Sequence, residues 1–270
     1  MPITLSVFTK PWRMPLAQLG DHVAGLGFGA VELPVRPGYP VEPENVTRGL
    51  PDAARTLARS GVRIASVAGP TDERTVMACA EAGVPVIRTM ARIGPSGYLA
   101  SVEALQAEYA ALVPALERAG VTIGIQNHSG RFVANALGLR DLLAPFEAHH
   151  VAAVWDAAHE ALNGMEPDIA LDVIWPKLRM VNLKNALWRR TSGLRLRNAA
   201  IRVSPHSAVA IWRPQWTAGR HGLVSWPRIV DELRRRGYEG TVCLTAEYSD
   251  EQAVDRLIVE DLRYAQSLFA

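Results

Sequence analysis

Two cysteines in 270 residues, Cys79 and Cys243, lie far apart and form no C-x-x-C pair, which argues against a disulfide framework or a zinc knuckle. No window approaches the roughly 18 consecutive apolar residues of a membrane span. The N-terminus, MPITLSVFTKPW, lacks the basic region and apolar run of a signal peptide, so a cytoplasmic protein is expected. Neither sign of charge is in excess: the net charge is +2, too small to imply a nucleic-acid surface by itself. Low-complexity tracts and linkers are also missing. What is present is an ordinary globular composition, 49% hydrophobic and 21% charged, enough for one large α/β domain over residues 1–270.

Short apolar runs alternate with longer helical patterns. Strands are expected over residues 3–7, 30–33, 63–67, 86–90, 121–125, 151–155, 179–183 and 241–246. Helices are expected near 15–26, 51–60, 72–82, 99–118, 138–148, 168–175, 226–236 and 250–269, the last with Asp250 as its N-cap. Strict alternation argues for a parallel sheet, and eight repeats argue for closure into a (β/α)8 barrel. A Gly followed by an apolar residue recurs between helix and strand, at Gly27-Phe28, Gly61-Val62, Gly83-Val84, Gly120-Val121 and Gly237-Tyr238. Each Gly can supply the left-handed turn that ends a helix.

One connection is out of proportion. Residues 186–222, after strand seven, carry seven arginines, no acidic residue, and Trp188, Trp212 and Trp216. Loops of this length in a compact domain are usually functional or disordered. The alternating stretches LRLR, AIRVS and AVAIWRPQW suggest a β-hairpin, an inserted lid over the barrel mouth that holds substrate through Trp188 and Arg189 or contacts another subunit. The tryptophans also suggest a homo-oligomer, because three are hard to leave in water. Against this stands a solvated excursion whose arginines serve solubility.

The stretch VAAVWDAAHEAL (151–162) organises the rest. A buried strand ends in Asp156, and His159 follows three positions on. Asp156 can cap the next helix, the blander reading for an isolated D-x-x-H, or act as a metal ligand at the mouth. Other strands end alike: Gln126, Asn182 and Glu247 can all offer oxygen to a hard cation such as Mg²⁺ or Mn²⁺. Around them stand Glu32, His128, His159 and Lys184, able to bind substrate or move protons.

The stretches GFGAVEL (27–33), GIQNHSG (124–130), VWDAAH (154–159), VNLKN (181–185), HGLVSWPRIVDELRRRGYEG (221–240) and TAEYSD (245–250) resemble the xylose isomerase-like TIM barrels, a group of sugar isomerases and epimerases, over nearly the whole chain. The resemblance implies a divalent metal held after strands five to eight by Glu, Asp, His and Glu. Asp156 and Glu247 match. Gln126 stands in place of the Glu and Asn182 in place of the His. In the sugar epimerases of this group the two glutamates also transfer protons; Gln126 cannot be a base, whereas Glu247 could shuttle a proton alone, with Lys184 or His159 supplying a second.

The expected function is therefore isomerisation or epimerisation of a sugar-like polyol, keto-sugar or hydroxy-keto acid at a metal site formed by Gln126, Asp156, Asn182 and Glu247. The altered ligands make the ion weakly held or absent. The alternative is a metal-free, non-catalytic or partner-dependent barrel. Lyase chemistry stays open, because a base that forms an enediolate can also expel a hydroxyl. Abasic-site endonuclease activity is disfavoured: it needs many His and acidic ligands, and VELPVRP and ASVAGP lack them at strands two and three.

Overall fold

The computed structural model describes residues 3–191 and 211–270. Eight strands close into a parallel barrel: β1 (Thr4–Phe8), β2 (Ala30–Pro34), β3 (Arg63–Ala68), β4 (Val86–Met90), β5 (Thr122–Gln126), β6 (Val151–Asp156), β7 (Leu178–Leu183) and β10 (Thr241–Leu244). The order round the barrel is β1, β10, β7, β6, β5, β4, β3, β2. Between them run α1 (Leu16–Gly25), α2 (Val46–Ala58), α3 (Glu73–Ala82), α4 (Tyr98–Ala119), α5 (Ala136–Leu143), α6 (Ala157–Leu162), α7 (Pro167–Ile174), α8 (Trp226–Arg235) and α9 (Val254–Phe269). The main apolar core lies between strands and helices, as the near-continuous apolar strands require. The five glycines of the helix-to-strand turns all have positive φ, from 64° at Gly120 to 97° at Gly27.

The alternation predicts the barrel, and the structure revises its edges. α2 begins five residues before the expected start at Pro51, which sits inside the helix rather than opening it. A six-residue helix, α6, follows β6 directly, as the capping reading of Asp156 implies, although the expected helix ranges place none between β6 and about residue 168. Asp250 makes no side-chain cap; it precedes a 3₁₀ turn at Glu251–Ala253, and α9 starts after that. The expected hairpin is formed by β8 (Asn185–Thr191) and β9 (Ile211–Thr217), antiparallel, with Ala186 opposite Trp216. LRLR and AIRVS lie outside the described residues.

Asn185 stitches the hairpin base to the barrel. Its amide donates to the carbonyls of Gly219 and Val224 (2.8 and 2.9 Å) and its oxygen accepts from the Val224 N–H (3.0 Å). The closeness is why residue 222 is Gly: a Cβ there would stand 2.1 Å from the Asn185 oxygen.

Inside the barrel, Phe8, Ala68, Val154, Met180 and Cys243, from five different strands, form a small apolar plug. Side chains alternate along a strand. Two residues beyond Val154 and Met180, Asp156 and Asn182 therefore face the same interior one layer nearer the carboxyl ends. A register shift between Val31 and Glu32 forms a bulge that sets Glu32 opposite Ser66.

Candidate active site

The layer above the plug is polar and buried. Glu32 is fully buried, and the Arg88 guanidinium grips it with Nε at 2.8 and 2.9 Å and Nη2 at 2.7 Å from its oxygens; Ser66 Oγ adds a donor at 3.1 Å. Nη1 of Arg88 donates to Gln126 Oε1, and Gln126 Nε2 donates to Asp156 Oδ2 at 2.8 Å. The other Asp156 oxygen accepts the Ala158 and His159 N–H groups (3.1 and 3.0 Å). Asp156 is thus both helix cap and network member, and the two readings of D-x-x-H are not exclusive. Asn182, opposite Asp156 in the β6–β7 register and 1% exposed, has no partner for its amide nitrogen or oxygen among the described residues. Burial opposes the charge on Arg88, but Glu32 outweighs it and raises the guanidinium pKa above its ordinary value. Arg88 was not among the expected site residues, although a charge inside the apolar run VIRTM is a signal, because such a charge needs a buried partner.

A second tier lies toward the mouth. Glu247 is clamped between Lys10 and Lys184, the latter at 2.7 Å. Burial works against the Glu247 carboxylate, yet the two lysines more than offset it and hold the group well below the usual carboxylate range. Lys184 Nζ also sits 3.8 Å from the centroid of Trp216, which stands 5.1 Å from the His159 ring. His159 and His128 lie 3.9 Å apart. Burial lowers both imidazoles, His159 to about 4, so both are neutral near pH 7. Their hydrogen bonds assign opposite tautomers. Nδ1 of His159 accepts the Ser129 N–H (3.3 Å), leaving its Nε2–H as donor; Nδ1 of His128 donates to the Ser129 carbonyl (2.8 Å), leaving Nε2 with its lone pair.

Behind this tier, Asn127 braces the end of β6, accepting the Asp156 N–H at 2.7 Å and donating to Glu160 at 3.0 Å. Glu160 also accepts from Trp155 Nε1 (3.1 Å). Burial pushes its carboxyl up to about 7, and burial likewise pushes Asp261, bonded to the Gly219 N–H and Tyr248 hydroxyl, up to about 6. A raised carboxyl favours the fold below the unfolded-state value, about 4.3 for Glu, and this is lost as pH rises through the folded value. Stability is expected to fall between pH 5 and 8, Glu160 contributing on the order of 2 kcal/mol. Denaturant melts across that range check this: the Glu160→Gln slope should be flatter than wild type.

The donor set does not fit a divalent cation. The expected ligands Gln126, Asp156 and Asn182 do converge, but Gln126 and Asp156 are already accepting N–H groups, and Glu247 is held apart by two lysines. Of these four, Asn182 alone offers an unspent oxygen among the described residues, and the Arg88 charge is bonded to Gln126, which in turn donates to Asp156. Among the described residues no group of three or more His, Cys, Asp or Glu is arranged to hold a metal ion. Trp188 and Arg189 lie on the exposed part of β8, Trp188 at 41% exposure, with no hydrogen bond or ring contact to these mouth residues. Trp216, at the other end of the hairpin, faces the site instead. Lys10 was not expected: it follows β1 by two residues inside a polar turn, and only barrel closure brings it to Glu247.

A closed parallel barrel of eight strands with a polar cluster at their carboxyl ends is the architecture of a TIM-barrel protein. Residues 21–268 match the xylose isomerase-like TIM barrel family, and the chain belongs to it. No curated protein matches the sequence. Among solved structures, the chain is similar to a sugar phosphate isomerase/epimerase from Parabacteroides distasonis (12% identity, 100% of this chain and 96% of that one, TM-score 0.72). It is also similar to D-psicose 3-epimerase from Clostridium cellulolyticum (13%, 99% and 99%, 0.69) and to the 3-keto-D-glucoside 4-epimerase of E. coli (14%, 98% and 99%, 0.69). At such identities the likeness is one of fold. No helix among the described residues is long and apolar enough to cross a membrane.

Proposed function

We propose that the protein is an enzyme that isomerises or epimerises a sugar-like hydroxy-ketone by proton transfer at the barrel mouth, with fixed side-chain cations in the role that the family resemblance gives to a metal. The observation that carries this reading is the Lys10–Glu247–Lys184 clamp beside two neutral imidazoles of opposite tautomer. The substrate carbonyl oxygen accepts from Lys184 and from the His159 Nε2–H. Glu247 takes a proton from the adjacent carbon; as Lys184 turns to the developing oxyanion, Glu247 loses a neutralising partner and gains basicity. The enediolate is stabilised by the Lys184 charge, an electrostatic device aimed at where charge develops. For isomerisation the proton returns to the former carbonyl carbon, and His128, through its Nε2 lone pair, takes the α-hydroxyl proton and delivers it to the former carbonyl oxygen, leaving the new carbonyl on the neighbouring carbon. Family membership and the epimerase-like folds support the substrate class.

The test is solvent deuterium exchange into keto-sugars, inososes and hydroxy-keto acids, followed by NMR, with chelator and with added Mn²⁺. Exchange is expected in at least one compound, unchanged by chelator. Exchange that needs Mn²⁺ would sink the metal-free part, and no exchange in any compound would sink the whole. In that case the partner-dependent reading gains, supported by Trp188 and Trp212 (41% and 54% exposed) on the arginine-rich hairpin.

A further inference from the structure

Among the described residues, the mouth gathers four cationic side chains, Lys10, Arg36, Arg88 and Lys184, against three carboxylates, Glu32, Asp156 and Glu247. Arg88 is spent on Glu32, and both lysines are spent on Glu247. Asp156 is satisfied by uncharged donors. Arg36 is left over. It lies just past the end of β2, half-buried, and leans back over the barrel axis: its guanidinium carbon is 5.6 Å from the centroid of Phe8, the plug ring that carries Arg88 at 4.7 Å. Among the described residues no carboxylate, carbonyl or hydroxyl accepts from that guanidinium. Across the barrel, Asn182 is the other unspent group, buried with neither amide atom partnered.

A half-buried guanidinium beside a second one, with no acceptor, leaves the described part of the mouth short of one negative charge. Its planar fork matches a carboxylate in a two-point contact. An amide with both donor and acceptor free matches a hydroxyl. We propose that the substrate of this mouth is a hydroxy-keto acid, its carboxylate held by Arg36 and a hydroxyl by Asn182. This rests on the reading of the mouth as a substrate site and narrows the substrate class to monoanions. A phosphate dianion would overfill a single unmatched charge.

Two pairs of compounds differ only in one terminal group: 2-keto-D-gluconate against D-fructose, and hydroxypyruvate against dihydroxyacetone. Calorimetric titration of the full chain is expected to show at least one acid binding about 10–100-fold more tightly than its alcohol, the range of a charge-assisted hydrogen-bonded contact. The preference should weaken with salt. Arg36→Gln should erase it, with circular dichroism showing the variant folded. Arg13→Gln, whose guanidinium stacks on Tyr39 at 4.9 Å, should keep it. Equal binding of acid and alcohol, a preference that survives Arg36→Gln, tighter binding of D-fructose 1-phosphate than of either acid, or no binding of either acid would overturn the proposal. Selective binding of an acid without deuterium exchange into it would uphold the carboxylate site and remove the proton-transfer reading.

Discussion

Arg88→Met is expected to cost the fold about 3–5 kcal/mol, because it strips a buried carboxylate of its salt-bridge partner. Glu32 is fully buried and Arg88 nearly so, and three of the guanidinium contacts to Glu32 are 2.9 Å or shorter. Without Arg88, Glu32 must take up a proton or draw water into the barrel, and Gln126 loses the donor to its oxygen. The double variant Glu32→Leu/Arg88→Met removes both charges. Since apolar replacement of a buried pair is often neutral or stabilising, it should regain most of the loss. Denaturant titrations of wild type, the two single variants and the double variant decide this. Additive losses, with the double variant the least stable, would mean that the pair is not an isolated unit and that Ser66 and Gln126 carry much of its energy.

The second large effect lies in the outer tier. Lys184→Met and Glu247→Gln should each slow the deuterium exchange of the proposed reaction by about 10²–10⁴-fold, the range for a positioned acid–base group. Lys184→Met should stay folded, since Lys10 remains to pair with Glu247; Glu247→Gln leaves the buried Lys184 without its carboxylate and should lower stability, so its rate is read at a temperature where circular dichroism shows it folded. The two variants differ in pH response. Glu247 is depressed below the ordinary carboxylate range, so wild type should show no loss of rate from this group until pH falls below about 4.3. Lys184→Met weakens the clamp, and the acid limb of its residual rate should move upward. The clamp's contribution to stability is present above the unfolded value and lost as pH falls through the folded one. Equal rates in wild type and Lys184→Met would remove Lys184 from the chemistry and leave it a packing partner of Trp216.

The barrel was readable because its evidence is repetitive. Each strand is an apolar run, each of five helix-to-strand turns carries a Gly at positive φ, and a parallel sheet built of eight such units closes. Of the candidate site, the sequence showed the positions where a polar residue ends an apolar run, as at Asp156, Asn182 and Gln126, which the structure brings to one end of the barrel. It was not readable where the decisive residue sits within a run or past its end. Arg88 looks like an interruption of VIRTM, and Lys10 and Arg36 look like turn residues. The hairpin tryptophans look equivalent in the chain, but Trp216 lies at the anchored end of the hairpin and Trp188 toward the open end, so of the two Trp216 meets His159 and Lys184.

The sequence alone determined the barrel, the family resemblance and the ring of polar strand ends, since local periodicity and turn chemistry set these. The tertiary structure decided which cation serves which carboxylate. That depends on register: the shift at Val31–Glu32 sets Glu32 opposite Ser66, and closure of β1 on β10 brings Lys10 to Glu247. Charge pairing falls off with distance and burial rather than with separation along the chain. Strand ends that resemble part of a metal centre in sequence therefore stand beside arginine and lysine in space.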